Sequence, residues 1–184
     1  MIVRAAAEAD VAAIAEIYGH HVMHGAGTFE ETPPSLEEIA RRVGAVTALG
    51  LPYLVAEGPE NALGVIGFAY AAPFRPRAAY RYTAEDSVYV APAAARAGVG
   101  SALLGRVIGE CEALGLRQMM AVIGDADNAA SIGLHRALGF APAGVCRAVG
   151  FKHGRWLDTV WMQRPLNGGD ADLPTRPGLR LSGG

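Results

Sequence analysis

Glycines at positions 98 and 100 stand directly ahead of an apolar run with helical spacing, and a strand-like stretch, Ser87-Val88-Tyr89-Val90, precedes them. Strand, side-chain-poor loop and helix in that order bring the unpaired N–H groups of a helix start to the end of a strand. Such a corner serves as a plain structural turn or as a seat for an anion. Two nucleotide loops are excluded by particular residues. A Walker A loop needs Lys followed by Ser or Thr after its last glycine, and Ser101-Ala102 follow Gly100 instead. A dinucleotide fingerprint needs a third small residue where Leu103 stands, and an acidic residue after a second strand at a distance this chain does not offer. The readings left open are a structural βα turn and a pyrophosphate seat on the N–H groups of Gly98 through Ser101, with Arg96 adding charge.

Elements on either side extend the pattern. Residues 1–6 predict a strand, and Val11, Ile14, Ile17, Tyr18 and Val22 share one face of a helix. Ser35 with Glu38 three places on forms a capping box that opens a second helix. Two strands around a Gly/Pro/Asn turn predict a hairpin over residues 52–74, and residues 79–92 predict a third strand. A helix from about Gly100 to Leu114, a strand, a helix ending at Gly139 and two closing strands complete a β-α-α-β-β-β-α-β-α-β-β order. That order is mixed α/β: a central sheet flanked by helices. The 184-residue length suits one domain over 1–166, and the Gly/Pro/Asp-rich stretch 167–184 is expected to be a flexible tail. A net charge of −2 argues against a general nucleic-acid binder. No apolar run approaches the ~20 residues of a membrane span. Neither a secretory leader nor a metal-ligand spacing of Cys111 and Cys146 is present, so a cytoplasmic protein with reduced thiols is expected.

Five segments, "TFEETPPSLEE", "FRPRAAYRYTAEDSVYV", "GVGSALL", "AVIGDADNAASIGLHRALGF" and "GFKHGRWLD", resemble in order and interval the GCN5-related N-acetyltransferases. More narrowly they are similar to the branch that acetylates phosphinothricin, methionine sulfone or methionine sulfoximine. The resemblance covers about residues 2–165 and implies the GNAT fold, whose splayed strands bind acetyl-CoA. It places the cofactor's pyrophosphate on Arg96, Ala97, Gly98, Val99, Gly100 and Ser101. The pantetheine arm and acetyl group fall to the backbone of Val88, Tyr89 and Val90, and to Asn128, which is also a fitting helix N-cap. The chain departs from the family pattern at Ala95, where Gln or Arg is usual.

The same resemblance implies the chemistry. Attack on a thioester needs a neutral amine, a donor for the oxyanion and a proton for the departing thiolate. Glu85 matches the branch's general base and Asp86 points to the opposite face; the N–H near Tyr89 is assigned to the oxyanion. His135 stands near a position where many relatives place a proton-donating tyrosine, and is assigned to the acid or to cofactor contact. His20, His21 and His24 are rim residues and no metal is expected. Arg75 and Arg77 suit bidentate recognition of anionic groups, and Thr28, Phe29, Tyr82, Thr83 and Glu85 line the pocket of an amino-acid analogue. Lys152, His153 and Trp156 are expected near the interface of a homodimer. The alternatives are a related enzyme acting on another amine or a protein N-terminus, and a non-catalytic acyl-CoA-binding module.

Overall fold

The computed structural model describes residues 1–58 and 64–181. Its strands and helices run β1 (Ile2–Ala5), α1 (Val11–His24), α2 (Leu36–Ala48), β2 (Tyr53–Glu57), β3 (Val65–Pro73), β4 (Thr83–Val90), α3 (Val99–Ala113), β5 (Gln118–Gly124), α4 (Ala129–Ala137), β6 (Ala141–Lys152) and β7 (Arg155–Pro165). The order matches the sequence reading, with α3 starting one residue earlier than its glycines suggest. Local chemistry accounts for the helix starts. Ser35 Oγ accepts the Glu38 N–H at 3.2 Å, one half of the expected capping box, while the Glu38 carboxylate turns to Arg41 and Arg42 instead of reaching back to Ser35. Gly98 enters α3 at φ +78°, a left-handed geometry that a side chain would strain. The hairpin turn expected near residue 60 lies outside the described residues; Gly58 N–H donates to Gly64 O at 3.0 Å beside it.

One seven-stranded sheet carries the order β1-β2-β3-β4-β5-β7-β6, antiparallel throughout except at β4–β5. Side-chain alternation sorts its two faces. Phe68 stacks on Tyr53 and Tyr89 and meets Tyr18 edge-on, so these rings floor the side covered by α1 and α2. On the other side α3 presses Val99 and Leu103 so near Gly67 that an added Cβ would lie 3.0 and 3.2 Å from them. Ile14, Val22, Phe68, Leu103, Leu104, Met119 and Met162 are among the buried residues that fill both layers.

Residues 167–181 form no helix or strand, as their composition implies, yet they are pinned. Arg117 donates to the carbonyls of Gly169 and Asp172 at 2.6 and 2.9 Å, and Leu179 N–H donates to Arg81 O at 2.8 Å. The Leu179 side chain is buried. Leu181 also packs against the core, and Asn167 Nδ2 donates to Glu112 O and Leu116 O, so apolar anchors and side-chain bonds together carry the segment onto the domain. Leu179→Ala is expected to lower the unfolding free energy by about 2 kcal/mol, the low end for a buried leucine. Urea denaturation followed by fluorescence measures it, and an unchanged midpoint would mean that the segment contributes nothing to folding.

Candidate functional site

The parallel ladder between β4 and β5 has only three rungs, Thr83↔Gln118, Ala84↔Met119 and Glu85↔Met120. Beyond them β5 stays with β7 to Gly124, and β4 stays with β3 to Val90. The sheet therefore opens between β4 and β5. Backbone direction can be assigned in the gap. Tyr82 O accepts from Arg117 on the β5 side, whereas Thr83 O and Ala91 N–H pair toward β3. Even-numbered residues thus direct their peptide groups at β5, and past the last rung Val88 and Val90 direct theirs into the opening. Val90 O is met by His21 Nε2 at 2.9 Å. The Tyr89 N–H falls on the β3 side, so the N–H groups near Tyr89 that face the opening are those of Val88 and Val90.

The opening widens into a cavity of about 700 Å³. Val88, Tyr89, Val90, Arg96, Gly98, Val99, Gly100, Ser101, Asn128 and His135 all line it; Ala97 does not. At its mouth the first N–H bonded within α3 belongs to Ala102, which donates to Gly98 O at 3.1 Å. The N–H groups of Gly98 through Ser101 precede that bond and carry the positive end of the helix dipole. The exposed Arg96, at φ +64°, supplies a full charge beside them. Ala95, the departure from the family pattern, is also in the lining. Asn128 caps α4 through its Oδ1, which accepts the Ser131 N–H at 3.2 Å, and its Nδ2 reaches Gly124 O at 3.4 Å. The two roles that the sequence suggests for it are therefore compatible: the cap uses one end of the amide, and the side chain still borders the cavity.

The residues assigned to catalysis divide across β4. His135 is buried at the cavity wall, and both ring nitrogens are engaged by protein groups, Nε2 with Asp86 at 2.9 Å and Nδ1 with Ser131 O at 2.8 Å. Glu85 lies on the opposite face and does not border the cavity. Burial pushes its carboxyl above the usual range, while the charge of Arg75 pulls it down and that of Asp86 adds to the rise. Arg75 is exposed, with its guanidinium 4.4 Å from the Phe74 ring and 5.6 Å from the Trp161 ring. No carboxylate among the described residues pairs with Arg75 or Arg77. Tyr70, across the β3–β4 ladder from Ser87, shares the Glu85 face; neither it nor Trp161 stands out in the sequence.

Three residues assigned to the acceptor pocket make contacts within the chain that the sequence does not announce. Tyr82 turns to the tail, its hydroxyl donating to Arg176 O at 2.7 Å. Thr28 is buried and meets Tyr18 Oη at 2.9 Å. Phe29 is wedged against Gly124 and Gly150, and a side chain at Gly150 would occupy the space of its ring. Lys152, expected near a partner subunit, is instead buried in its own chain, where Nζ donates to Gly25 O and Thr28 O at 2.9 and 2.8 Å. Burial draws that ammonium below its ordinary value. Lys152 is thus a strap that fixes the loop after α1. The His20 and His24 rings lie tilted at 46° with centroids 4.8 Å apart, and among the described residues no three His, Cys, Asp or Glu side chains gather as a metal site.

Residues 3–161 match the family model described as Acetyltransferase (GNAT) domain. The chain is 54% identical over 172 residues to a phosphinothricin N-acetyltransferase of Alcaligenes faecalis, spanning 94% of this chain and 86% of that one. It is 42% identical over 167 residues to an L-methionine sulfoximine/L-methionine sulfone acetyltransferase of Salmonella typhimurium, spanning 91% and 95%. A crystal structure of a phosphinothricin acetyltransferase from Sinorhizobium meliloti in complex with acetyl-CoA superposes with a TM-score of 0.92 at 52% identity, covering 96% of this chain and 94% of that one.

The cavity makes a checkable demand on Gly100, where an added Cβ would lie 3.2 Å from Leu134 and 3.8 Å from Val90 at the cavity wall. Acetyl-CoA at a hundred times its dissociation constant is expected to stabilise the folded protein by about 2.7 kcal/mol. Gly100→Val is expected to lose most of that gain while remaining folded without ligand. Thermal melts across an acetyl-CoA titration test this, and an undiminished shift in the variant would remove the loop from the binding surface.

Proposed function

The chain belongs to the acetyltransferase (GNAT) family and is an acetyl-CoA-dependent N-acetyltransferase, and on that premise we propose that its acceptor is the α-amino group of a small amino-acid analogue of the phosphinothricin, methionine sulfone or methionine sulfoximine type. One observation carries the reading: a guanidinium that pairs with no carboxylate among the described residues, set against Phe74 and Trp161, acts electrostatically on a half-buried Glu85. That pairing of groups is what an α-amino acid requires, a cation for its anionic end and a base for its ammonium. The names of the relatives, phosphinothricin and methionine sulfoximine or sulfone acetyltransferases, support the same substrate class.

In this reading acetyl-CoA supplies the activated acetyl group. The loop from Arg96 to Ser101 would hold its phosphates, and Val88 and Val90 would align its amide-bearing arm along the opening of the sheet. The amine is acetylated by direct attack in a ternary complex. Glu85, raised by burial, is suited to take a proton from the ammonium near neutral pH, directly or through water. Arg75 and Arg77 orient the acceptor, the planar fork of each guanidinium matching a carboxylate or phosphinate. The homodimer is likewise proposed, supported by exposed apolar side chains on the edge strand and its hairpin, Val145, Val149, Phe151 and Trp156.

Glu85→Gln is expected to lower turnover roughly 10²–10⁴-fold with little change in acetyl-CoA binding. The pH profile gives a sharper check. Deprotonated Glu85 is the active form, so kcat/KM should fall as pH drops through its raised pKa. The Arg75 charge favours the carboxylate; Arg75→Ala therefore should move the acidic limb to higher pH, besides weakening the acceptor by roughly 10- to 150-fold, the value of a charge-assisted hydrogen bond of about 1.5–3 kcal/mol. Steady-state kinetics with methionine sulfone and its methyl ester complete the test. If Arg75→Ala and Arg77→Ala discriminate acid from ester as well as the parent does, the acceptor assignment fails.

A further inference from the structure

Within the cavity wall, Asp86 of β4 meets His135 of α4, and their side chains are 1% and 3% exposed. The proton count of this pair follows from its partners. Ser131 O can only accept, so His135 Nδ1 carries a hydrogen. Across the 2.9 Å contact, either Asp86 Oδ2 donates to a neutral imidazole or an imidazolium Nε2 donates to a carboxylate. Both forms hold one shared proton and no net charge. Burial raises the Asp86 carboxyl above its usual range, with His135 opposing. At His135 burial favours the neutral ring, but the bond to Asp86 and its charge outweigh that and raise the imidazole. The ionisable group packed against the pair is Cys111 from α3, whose thiol burial and the Asp86 charge push up to about 12; Glu85, next to Asp86 along β4, turns to the other face of the strand. Asp86 Oδ1 is buried without a partner, which makes a fixed carboxylate costly and favours keeping the proton in the pair.

Ser131 connects this reservoir to the cavity. It is half-buried, borders the cavity with Gly98 and Val88, and sets its Oγ 3.4 Å from His135 Nδ1, one helical turn away. We propose that Ser131, His135 and Asp86 form a proton relay in which Ser131 Oγ hands a proton to the sulfur that leaves during acetyl transfer. When the thioester C–S bond breaks, its electron pair stays on sulfur and Ser131 Oγ–H protonates it. His135 Nδ1–H restores the serine hydroxyl, and the shared proton settles on Nε2 against an Asp86 carboxylate. The pair then carries one proton fewer and regains it from solvent, while the proton of the acceptor ammonium departs separately on the Glu85 side. Ser131 is in this scheme the catalytic residue, and His135 and Asp86 act through it.

The relay needs acetyl-CoA chemistry alone, so its first test is made without an acceptor. The thiol of bound CoA is titrated by the ultraviolet absorbance of the thiolate. In the parent enzyme the bound thiol should be more acidic than free CoA, because Ser131 Oγ–H stabilises the thiolate. Ser131→Ala leaves the backbone N–H that Asn128 caps, and it should return the thiol toward the value of free CoA with CoA affinity nearly unchanged. Asp86→Asn can still donate to Nε2 but has no proton to pass. In single-turnover assays with methionine sulfone, each variant should be roughly 10²-fold slower, a general-acid contribution, with the acetyl-CoA KM nearly constant. A parent-like thiol titration in Ser131→Ala would overturn the relay. So would parent-like turnover in Ser131→Ala, which remains decisive if Asp86→Asn does not fold. A failure confined to the acceptor panel leaves the titration intact and counts only against the substrate reading.

Discussion

The parting of β4 from β5 is the constraint on which the rest of the molecule depends. A parallel pair that ends after three rungs leaves peptide groups of the next residues without a strand to pair with, and unpaired buried peptide groups are costly. The chain meets part of that demand itself, with His21 on Val90 O. The remainder faces a cavity whose far side is the start of α3 and whose wall is α4. The loop after α1 closes over the same opening, held by the Lys152 strap and by Phe29 against Gly150. Fold and cofactor use are one problem in the proposed reading, where an extended, amide-bearing ligand would complete the sheet.

Adjacent carboxylates on β4 acquire different environments from the alternation of the strand. Glu85 faces the aromatic floor and the Arg75 charge, where it stays half-buried and open to a base's role in the proposed reaction. Asp86 faces α3 and α4 and shares its proton with His135. One strand thus separates the side that would remove a proton from the side that would supply one. Two like groups placed on one face would couple more strongly than these neighbours do.

What is legible in the sequence is local. The glycine loop, the Ser35 cap, the element order and the two faces of β4 depend on neighbours a few residues apart, and side-chain periodicity encodes them. What stays hidden depends on distant covering groups. Asp86 and His135 are 49 positions apart, and nothing in either segment alone announces their bond. Alternation assigns Tyr82 a face but gives no sign that Arg176, 94 positions later, accepts from its hydroxyl. Trp161 beneath Arg75 and the burial of Lys152 by carbonyls of its own chain are of the same kind. Ser131 draws no notice in the sequence, because a serine in the first turn of a helix is ordinary until its neighbour one turn on is seen to hold a buried proton.

Amide hydrogen exchange with and without acetyl-CoA tests the open sheet most directly, because it reads the peptide groups themselves. The backbone directions place the Val88 and Val90 N–H groups at the opening and the Tyr89 N–H in the β3 ladder. Residue-resolved exchange should therefore show Val88, Val90 and the stretch from Gly98 to Ser101 gaining protection when the ligand binds, while Tyr89 is protected in both states. Protection gained at Tyr89 with none at Val88 or Val90, or a response confined to segments outside the opening, would contradict the account.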